Sequence, residues 1–279
     1  MGSFKRSILL AAGLLALVAL AAGPDTALTL AVIGDYGSGQ AQETAVANRV
    51  HTWDVDAVIT LGDNNYPSGA ASTIARNITR DYGRYISGNL AANRFWPSLG
   101  NHDYKTRGAR PYLDYFALPG NERWYSVDYG VARLWALDSP KWSAEQAAWL
   151  EAGLAGSDAC FDIVYFHHAP YSSGKHGGTA KMRLPFGVWG AEVVMAGHDH
   201  TYERLDVGGV PYFVNGLGGK SRYPWGGPPL TGAAVTQARF RDDYGAMRLT
   251  VDGNTLTAEF ITDDGVIVDT LTIAGNCSY

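Results

Sequence analysis

Lysine and arginine never gather into a run in this chain, and the formal net charge is −5. A sequence-independent grip on a nucleic-acid backbone needs clustered cations, so no nucleic-acid partner is expected. Beyond the first residues there is no low-complexity tract and no internal repeat, which excludes a stacked repeat array. Cysteine is reduced to Cys160 and Cys277. They either pair in an oxidising compartment or stand as two separate small hydrophobes. No Ser-His-Asp order stands out, so nothing points to a seryl nucleophile. The hydrophobic run Ile8–Leu20, uninterrupted by charge, is short of the about 20 residues that a spanning helix needs.

That run lies between Lys5-Arg6 and the small residues Ala19, Ala21, Ala22 and Gly23. The order is that of a secretory signal peptide, with cleavage near Ala21–Gly23. No cysteine follows it, which argues against a lipidated anchor. We therefore expect residues 1–23 to be a signal peptide, 24–279 to form a single domain, and the product to be secreted, whether periplasmic or extracellular. No stable membrane span is expected after cleavage. With 46% hydrophobic and 18% charged residues, the composition is that of a globular chain with a substantial core.

Five apolar, strand-like runs end in polar tails. Leu28–Ile33 leads into Gly34-Asp35-Tyr36-Gly37, and Ala57–Leu61 into Gly62-Asp63-Asn64-Asn65-Tyr66. Arg94–Leu99 leads into Gly100-Asn101-His102-Asp103, Phe161–Phe166 into His167-His168-Ala169-Pro170, and Glu192–Ala196 into Gly197-His198-Asp199-His200. Ligand sites of α/β sheets lie beyond the carboxyl ends of strands, so tails that share one core converge on one crevice. Of the seven histidines, His102, His167, His168, His198 and His200 fall in these tails and His176 follows just after the fourth. Only His51 lies elsewhere, on a helical stretch. Such clustering points to a metal or catalytic site rather than to packing. Asp63 can bridge two cations. Tyr66, with a phenol pKa of about 10, binds metal only where a strong Lewis acid displaces its proton.

These five ordered blocks resemble those of calcineurin-like metallophosphoesterases, and the Tyr66 position is similar to the purple acid phosphatase branch, which includes the tartrate-resistant acid phosphatases. The resemblance implies an α/β fold, a four-layer αββα sandwich of two mixed β-sheets. It also implies a binuclear metal centre, Fe(III) plus a divalent ion (iron, zinc or manganese). Asp35, Tyr66 and His200 would hold the ferric ion, Asp63 would bridge, and Asn101, His168 and His198 would hold the divalent ion. His168 is preferred to His167 because the family pattern is His, one residue, Pro; His167 would then point the other way. His102 and His176 match histidines that contact phosphate and assist the leaving group. Aspartate, phenolate and imidazole suit Fe(III), and a neutral Asn with two His suits a softer ion. The implied activity is hydrolysis of small phosphate monoesters by a metal-bound hydroxide. The competing readings are a phosphodiesterase or nucleotide pyrophosphatase on the same core, and a non-catalytic exported metal-binding protein.

Elsewhere the pattern predicts helices over 41–52 and 71–90, a long loop over 104–125 and a hairpin within 124–137. A further helix is capped by Ser143 and Gln146, and three strands form a C-terminal meander. Asp103 either orients His102 or caps a turn. Arg107, Arg110 and Arg123 are read as solvated, and Asp138 as a turn or cap residue. The Ser/Gly loop Tyr171–Thr179 is read as a flexible lid carrying His176, and 215–229 as pocket wall. Asn77 and Asn276 head glycosylation sequons, relevant only in a eukaryotic host.

Overall fold

Alternation within the run Phe161–His168 sets the layering. Ile163 and Tyr165 enter one buried cluster, while Val164 and Phe166 enter another on the opposite face. The structure, a computed structural model, describes residues 27–275 and 277. The predicted signal peptide and the Asn276 sequon lie outside the described residues. In chain order the first strands are β1 (Leu28–Ile33), β2 (Ala57–Thr60), β3 (Phe95–Pro97), β4 (Tyr125–Asp128) and β5 (Ala132–Ala136). Then come β6 (Phe161–His168), β7 (Val193–Gly197), β8 (Tyr202–Val207), β9 (Val210–Asn215) and β10 (Ala234–Phe240). The last are β11 (Gly245–Asp252), β12 (Thr255–Thr262) and β13 (Ile267–Ala274). The helices are α1 (Ala41–His51), α2 (Arg80–Tyr82), α3 (Arg110–Tyr115), α4 (Ala144–Ala155) and α5 (Phe186–Trp189).

Two mixed sheets result, ordered β13-β12-β11-β1-β2-β3 and β10-β8-β9-β7-β6-β5-β4. In the first, β1, β2 and β3 are parallel; in the second, β5, β6, β7 and β9 are. One cluster packs Leu30 and Val32 of the first sheet with Ile163, Met195 and Phe213 of the second. Val46, Ala47 and Val50 of α1 join it beside the first sheet. The other face of the second sheet is covered by Leu150 and Leu154 of α4 and Phe186 of α5. This is the expected four-layer α/β arrangement. Parallel strands of both sheets bring their carboxyl ends to one edge. Among the described residues no helix is long and apolar enough to cross a membrane.

Three local expectations differ from the structure. Residues 71–90 do not form one helix but short tight turns, a wide turn over Ala75–Thr79 and the brief α2. The wide turn accommodates Asn77, whose buried Nδ2 donates to Tyr66 O at 2.6 Å and Asn65 Oδ1 at 2.9 Å. Its side chain is thus engaged and closed to glycosylation in the folded chain. The stretch 104–125 is not all loop: it contains α3, with Pro111 in the first turn. Strand β10 was not anticipated, because it is an edge strand whose residues alternate between half-buried and exposed. Ser143 does cap α4, accepting from Gln146 N at 3.3 Å, but the Gln146 side chain turns instead to Asp138, accepting from its backbone N at 2.9 Å.

Cys160 and Cys277 form a disulfide across 117 residues of sequence, tying the end of the chain to the start of β6. Closing so long a loop restricts the unfolded chain, an effect of about 2–5 kcal/mol. Replacing both cysteines by serine should therefore lower the thermal midpoint by several degrees, measured by calorimetry with and without reductant. An unchanged midpoint would show that the bridge adds no stability.

Candidate metal centre

Asp35, Asp63 and His198 lie just beyond the ends of β1, β2 and β7, and each has a left-handed backbone, with φ of 52°, 53° and 73°. Such angles are costly for residues with a Cβ and persist only where the surroundings over-determine them. Here the turns send side chains from two sheets into the space between the strand tips. Glycine permits the crowding. A Cβ on Gly100 would lie 2.1 Å from Asp63 N, and one on Gly62 2.7 Å from His167 Cβ.

Two clusters of lone-pair atoms result, and they share one oxygen. In the first, Tyr66 OH lies 2.9 Å from Asp35 Oδ1, 3.0 Å from Asp63 Oδ2 and 3.2 Å from His200 Nε2. His200 Nε2 is also 3.3 Å from Asp35 Oδ1. In the second, His167 Nε2 lies 3.0 Å from Asn101 Oδ1, 3.2 Å from His198 Nδ1 and 3.5 Å from Asp63 Oδ2. The outer ring nitrogens are engaged: His167 Nδ1 donates to Leu61 O at 2.9 Å and His200 Nδ1 to Ser221 O at 2.6 Å. The inner nitrogens then offer lone pairs to Asp35, Asp63 and Asn101 oxygens that carry no hydrogen, with a single phenol hydroxyl among them. One phenol proton cannot serve two carboxylates and an imidazole at once, so the arrangement fits cations.

The ionisation of the site agrees. Burial alone would raise Asp35, but the His200, His167 and His198 rings outweigh it and hold the carboxyl well below the ordinary range. Burial disfavours charge on His167 and His200, yet the carboxylates of Asp63 and Asp35 outweigh it and both rings are pushed up. The carboxylates thus draw positive charge into the site. Tyr66 is raised well above its usual value by burial, then by Asp35 and Asp63, so its proton leaves only to a strong Lewis acid. Burial together with the neighbouring His167 pushes His168 down to about 3 and His198 down to about 2, leaving both neutral.

Asp35, Asp63, Tyr66, Asn101, His198 and His200 are thus brought together. His168 is placed differently from its expected role. Its Nδ1 meets Ser139 Oγ at 3.1 Å, and His167 is the ring that faces Asp63 and Asn101. The cause is a bulge: Phe166 pairs with Ala196 and His168 with Gly197, so His167 is the extra residue. A bulge re-aims a side chain that strict alternation would turn away. His168 stays close, its ring 4.6 Å from that of His198, and could still join a three-histidine set with His167.

His102 and His176 flank this centre. His102 N donates to Asp63 Oδ1 at 2.7 Å, and its Nδ1 donates to Pro67 O at 2.6 Å. His176 stacks on His198 at 4.3 Å, and Tyr223, from the expected wall, stacks on His200 at 3.9 Å. The Tyr171–Thr179 loop is not a free lid. Asp199 accepts from His176 N at 2.7 Å and Ser172 Oγ at 2.6 Å, and buried Glu203 accepts from Ser173 N at 2.7 Å. Asp103 takes the turn-capping role, accepting from Gly100 N at 2.8 Å and Asn64 Nδ2 at 2.9 Å. Arg110 pairs with Asp114, and Arg123 donates to Tyr104 OH at 2.6 Å. Asp138 is fully buried and accepts from Tyr104 OH. The supporting roles of Asn77, Asp199 and Glu203 do not follow from the sequence reading, which takes Asn77 only as a sequon; Asp199 alone, inside the Gly197–His200 block, carries a signal.

His167→Ala should lose about one metal equivalent per chain, whereas His168→Ala should retain more than half of it, read by elemental analysis of the folded proteins. The reverse ranking would return the ligand role to His168.

A model of the calcineurin-like phosphoesterase family matches residues 28–202. Purple acid phosphatase 4 of Arabidopsis thaliana is 26% identical, over 90% of this chain and 85% of that relative. Tartrate-resistant acid phosphatase type 5 of Mus musculus is 25% identical, over 70% of this chain and 73% of that relative. Among solved structures, GAP50, described as the anchor in the inner membrane complex of Plasmodium, superposes with a TM-score of 0.71. It is 16% identical over 90% of this chain and 89% of that one, a likeness of fold alone. With most of its core matched and its five strand-end blocks gathered at one edge of two mixed sheets, the chain belongs to the calcineurin-like phosphoesterase family.

Proposed function

We propose that residues 24–279 form one catalytic domain of an exported, purple acid phosphatase-like enzyme that hydrolyses small phosphate monoesters at a binuclear metal centre. The observation that carries this reading is Asp63 Oδ2, shared between the two lone-pair clusters. Asp35, Tyr66 and His200 on one side suit a ferric ion. Asn101, His167 and His198 on the other suit divalent iron, zinc or manganese. A further relative, 26% identical, is named a Fe(3+)-Zn(2+) purple acid phosphatase of Arabidopsis thaliana, which supports the choice of metals. When bound, such a pair supplies Lewis acidity to the phosphoryl oxygens and lowers the pKa of water enough to make it a nucleophile.

The chain's own residues supply the rest. His102 donates through Nδ1 to Pro67 O, and Lys105 Nζ lies 2.9 Å from that nitrogen and 3.0 Å from Nε2, so that Nε2, when protonated, can donate to a phosphoryl oxygen beside the ammonium group. His176 is exposed at the mouth with its backbone fixed by Asp199, so its ring can hand a proton to the departing oxygen. Tyr223 and His198 hold that ring on two sides.

Two results follow. On the metal-loaded protein, kcat/KM for p-nitrophenyl phosphate should exceed that for bis(p-nitrophenyl) phosphate by at least about tenfold, and His176→Ala should slow alkyl esters more than nitrophenyl esters. A diester preference would identify a phosphodiesterase; metal without turnover would identify a metal-binding protein. Tyr66→Phe should abolish the visible charge-transfer band of a ferric phenolate. A band that survives would remove Tyr66 from the ligand set.

A further inference from the structure

We propose that the crevice is built for substrates that carry a second phosphate group beside the scissile one, held by Lys105, Lys175 and Lys220. The inference rests on the phosphomonoesterase reading and names its substrate class. It starts from where the lysines are. The chain has six: Lys5, outside the described residues, and Lys105, Lys141, Lys175, Lys181 and Lys220. Three of these place their ammonium groups on side chains of the centre. Lys105 Nζ lies 3.0 Å from His102 Nε2. Lys220 Nζ lies 5.1 Å from the centroid of the Tyr66 ring, and Lys175 Nζ 4.6 Å from that of Tyr223, the ring stacked on His200. Lys181 Nζ donates to Ser139 O at 2.8 Å, beside the serine that meets His168.

None of these charges is matched by a carboxylate. Among the described residues, every ion pair with a permanently cationic side chain uses arginine, as in Arg133–Asp128, Arg204–Asp269 and Arg248–Glu259. No lysine is in one. The chain is acidic overall, yet three of its ammonium groups without a carboxylate partner lie against side chains of one centre. Lys220 is also fixed there from its backbone, its N donating to Asp35 O at 3.0 Å.

A simple monoester does not call for them. Its single phosphoryl group is already met by the metal centre and by His102. Ammonium groups spread from His102 through Tyr66 to Tyr223, beside His176, suit a further anionic group on the leaving side. Lysine is a compact, strongly hydrated point charge and serves phosphate in that capacity. Like charges around one mouth also raise the local concentration of anions and the association rate, in a salt-dependent way. In the reaction water adds to the scissile phosphorus and the bond to the leaving oxygen breaks. That oxygen takes a proton, and the product still carrying the second phosphate departs with inorganic phosphate. A phosphoanhydride and a bis-monoester share this chemistry.

The test compares matched pairs: AMP with ADP, and fructose 6-phosphate with fructose 1,6-bisphosphate. At low ionic strength, kcat/KM should favour the member with the second phosphate by about tenfold or more, and the preference should shrink as salt rises. The anhydride and the bis-ester arms show which source of the second phosphate is taken. In the triple variant K105Q/K175Q/K220Q the ratio within each pair should approach 1. Equal kcat/KM within both pairs in the parent chain, or an unchanged ratio in the variant, would overturn the proposal. Calorimetric binding of methylenediphosphonate against methylphosphonate keeps this separate from catalysis. If no ester is hydrolysed, the phosphomonoesterase reading fails, while a preference for the diphosphonate that the variant loses still supports the lysine site. No such preference overturns it.

Discussion

The structure depends on a shortage of protons at one place. Two carboxylates, a phenol, an amide oxygen and three imidazoles meet at the edge of the sheets with more lone pairs than hydrogens to fill them. A buried set of that kind is expensive unless positive charge enters it. The upward push on His167 and His200, against their burial, shows the protein's own rings being recruited toward that charge. A pair of metal ions meets the same demand without spending ring protons. The shared Asp63 oxygen would make it one centre rather than two.

The fold exists to hold those groups against their mutual repulsion. Strands β1, β2 and β3 deliver from one sheet and β6 and β7 from the other, so no ligand relies on a long loop. Left-handed turns at Asp35, Asp63 and His198 and close glycine contacts at Gly62 and Gly100 keep the tips from relaxing outward. Asn77 grips the Tyr66 carbonyl from outside, and Asp199 grips the loop that bears His176. The support extends beyond the groups that touch the centre, as site geometry requires.

Much of this was legible in the chain. Each strand tip is marked by an apolar run that stops at Asp, Asn or His, and the layering follows from alternation inside those runs. What escaped has identifiable causes. His167 faces Asp63 and Asn101, as His168 was expected to, because a bulge inserts one residue, and neither alternation nor spacing to Pro170 can register that; His168 stays within reach of the same centre. Residues 71–90 carry helical spacing of apolar side chains, but the buried amide of Asn77 takes partners outside the helix and opens a turn. Asp103 binds backbone and amide groups of neighbouring turns rather than an adjacent ring, a choice set by contacts from distant sequence. Strand β10 lies at a sheet edge, where one face need not be apolar.

The central claim is that Asp63 joins two cation sites. Anomalous diffraction from crystals of the metal-loaded chain addresses it directly. The account predicts two peaks about 3.5–4 Å apart. One should lie among Asp35, Tyr66 and His200 and the other among Asn101, His167 and His198, with an Asp63 oxygen between them. A single peak, or two that do not share Asp63, would contradict it.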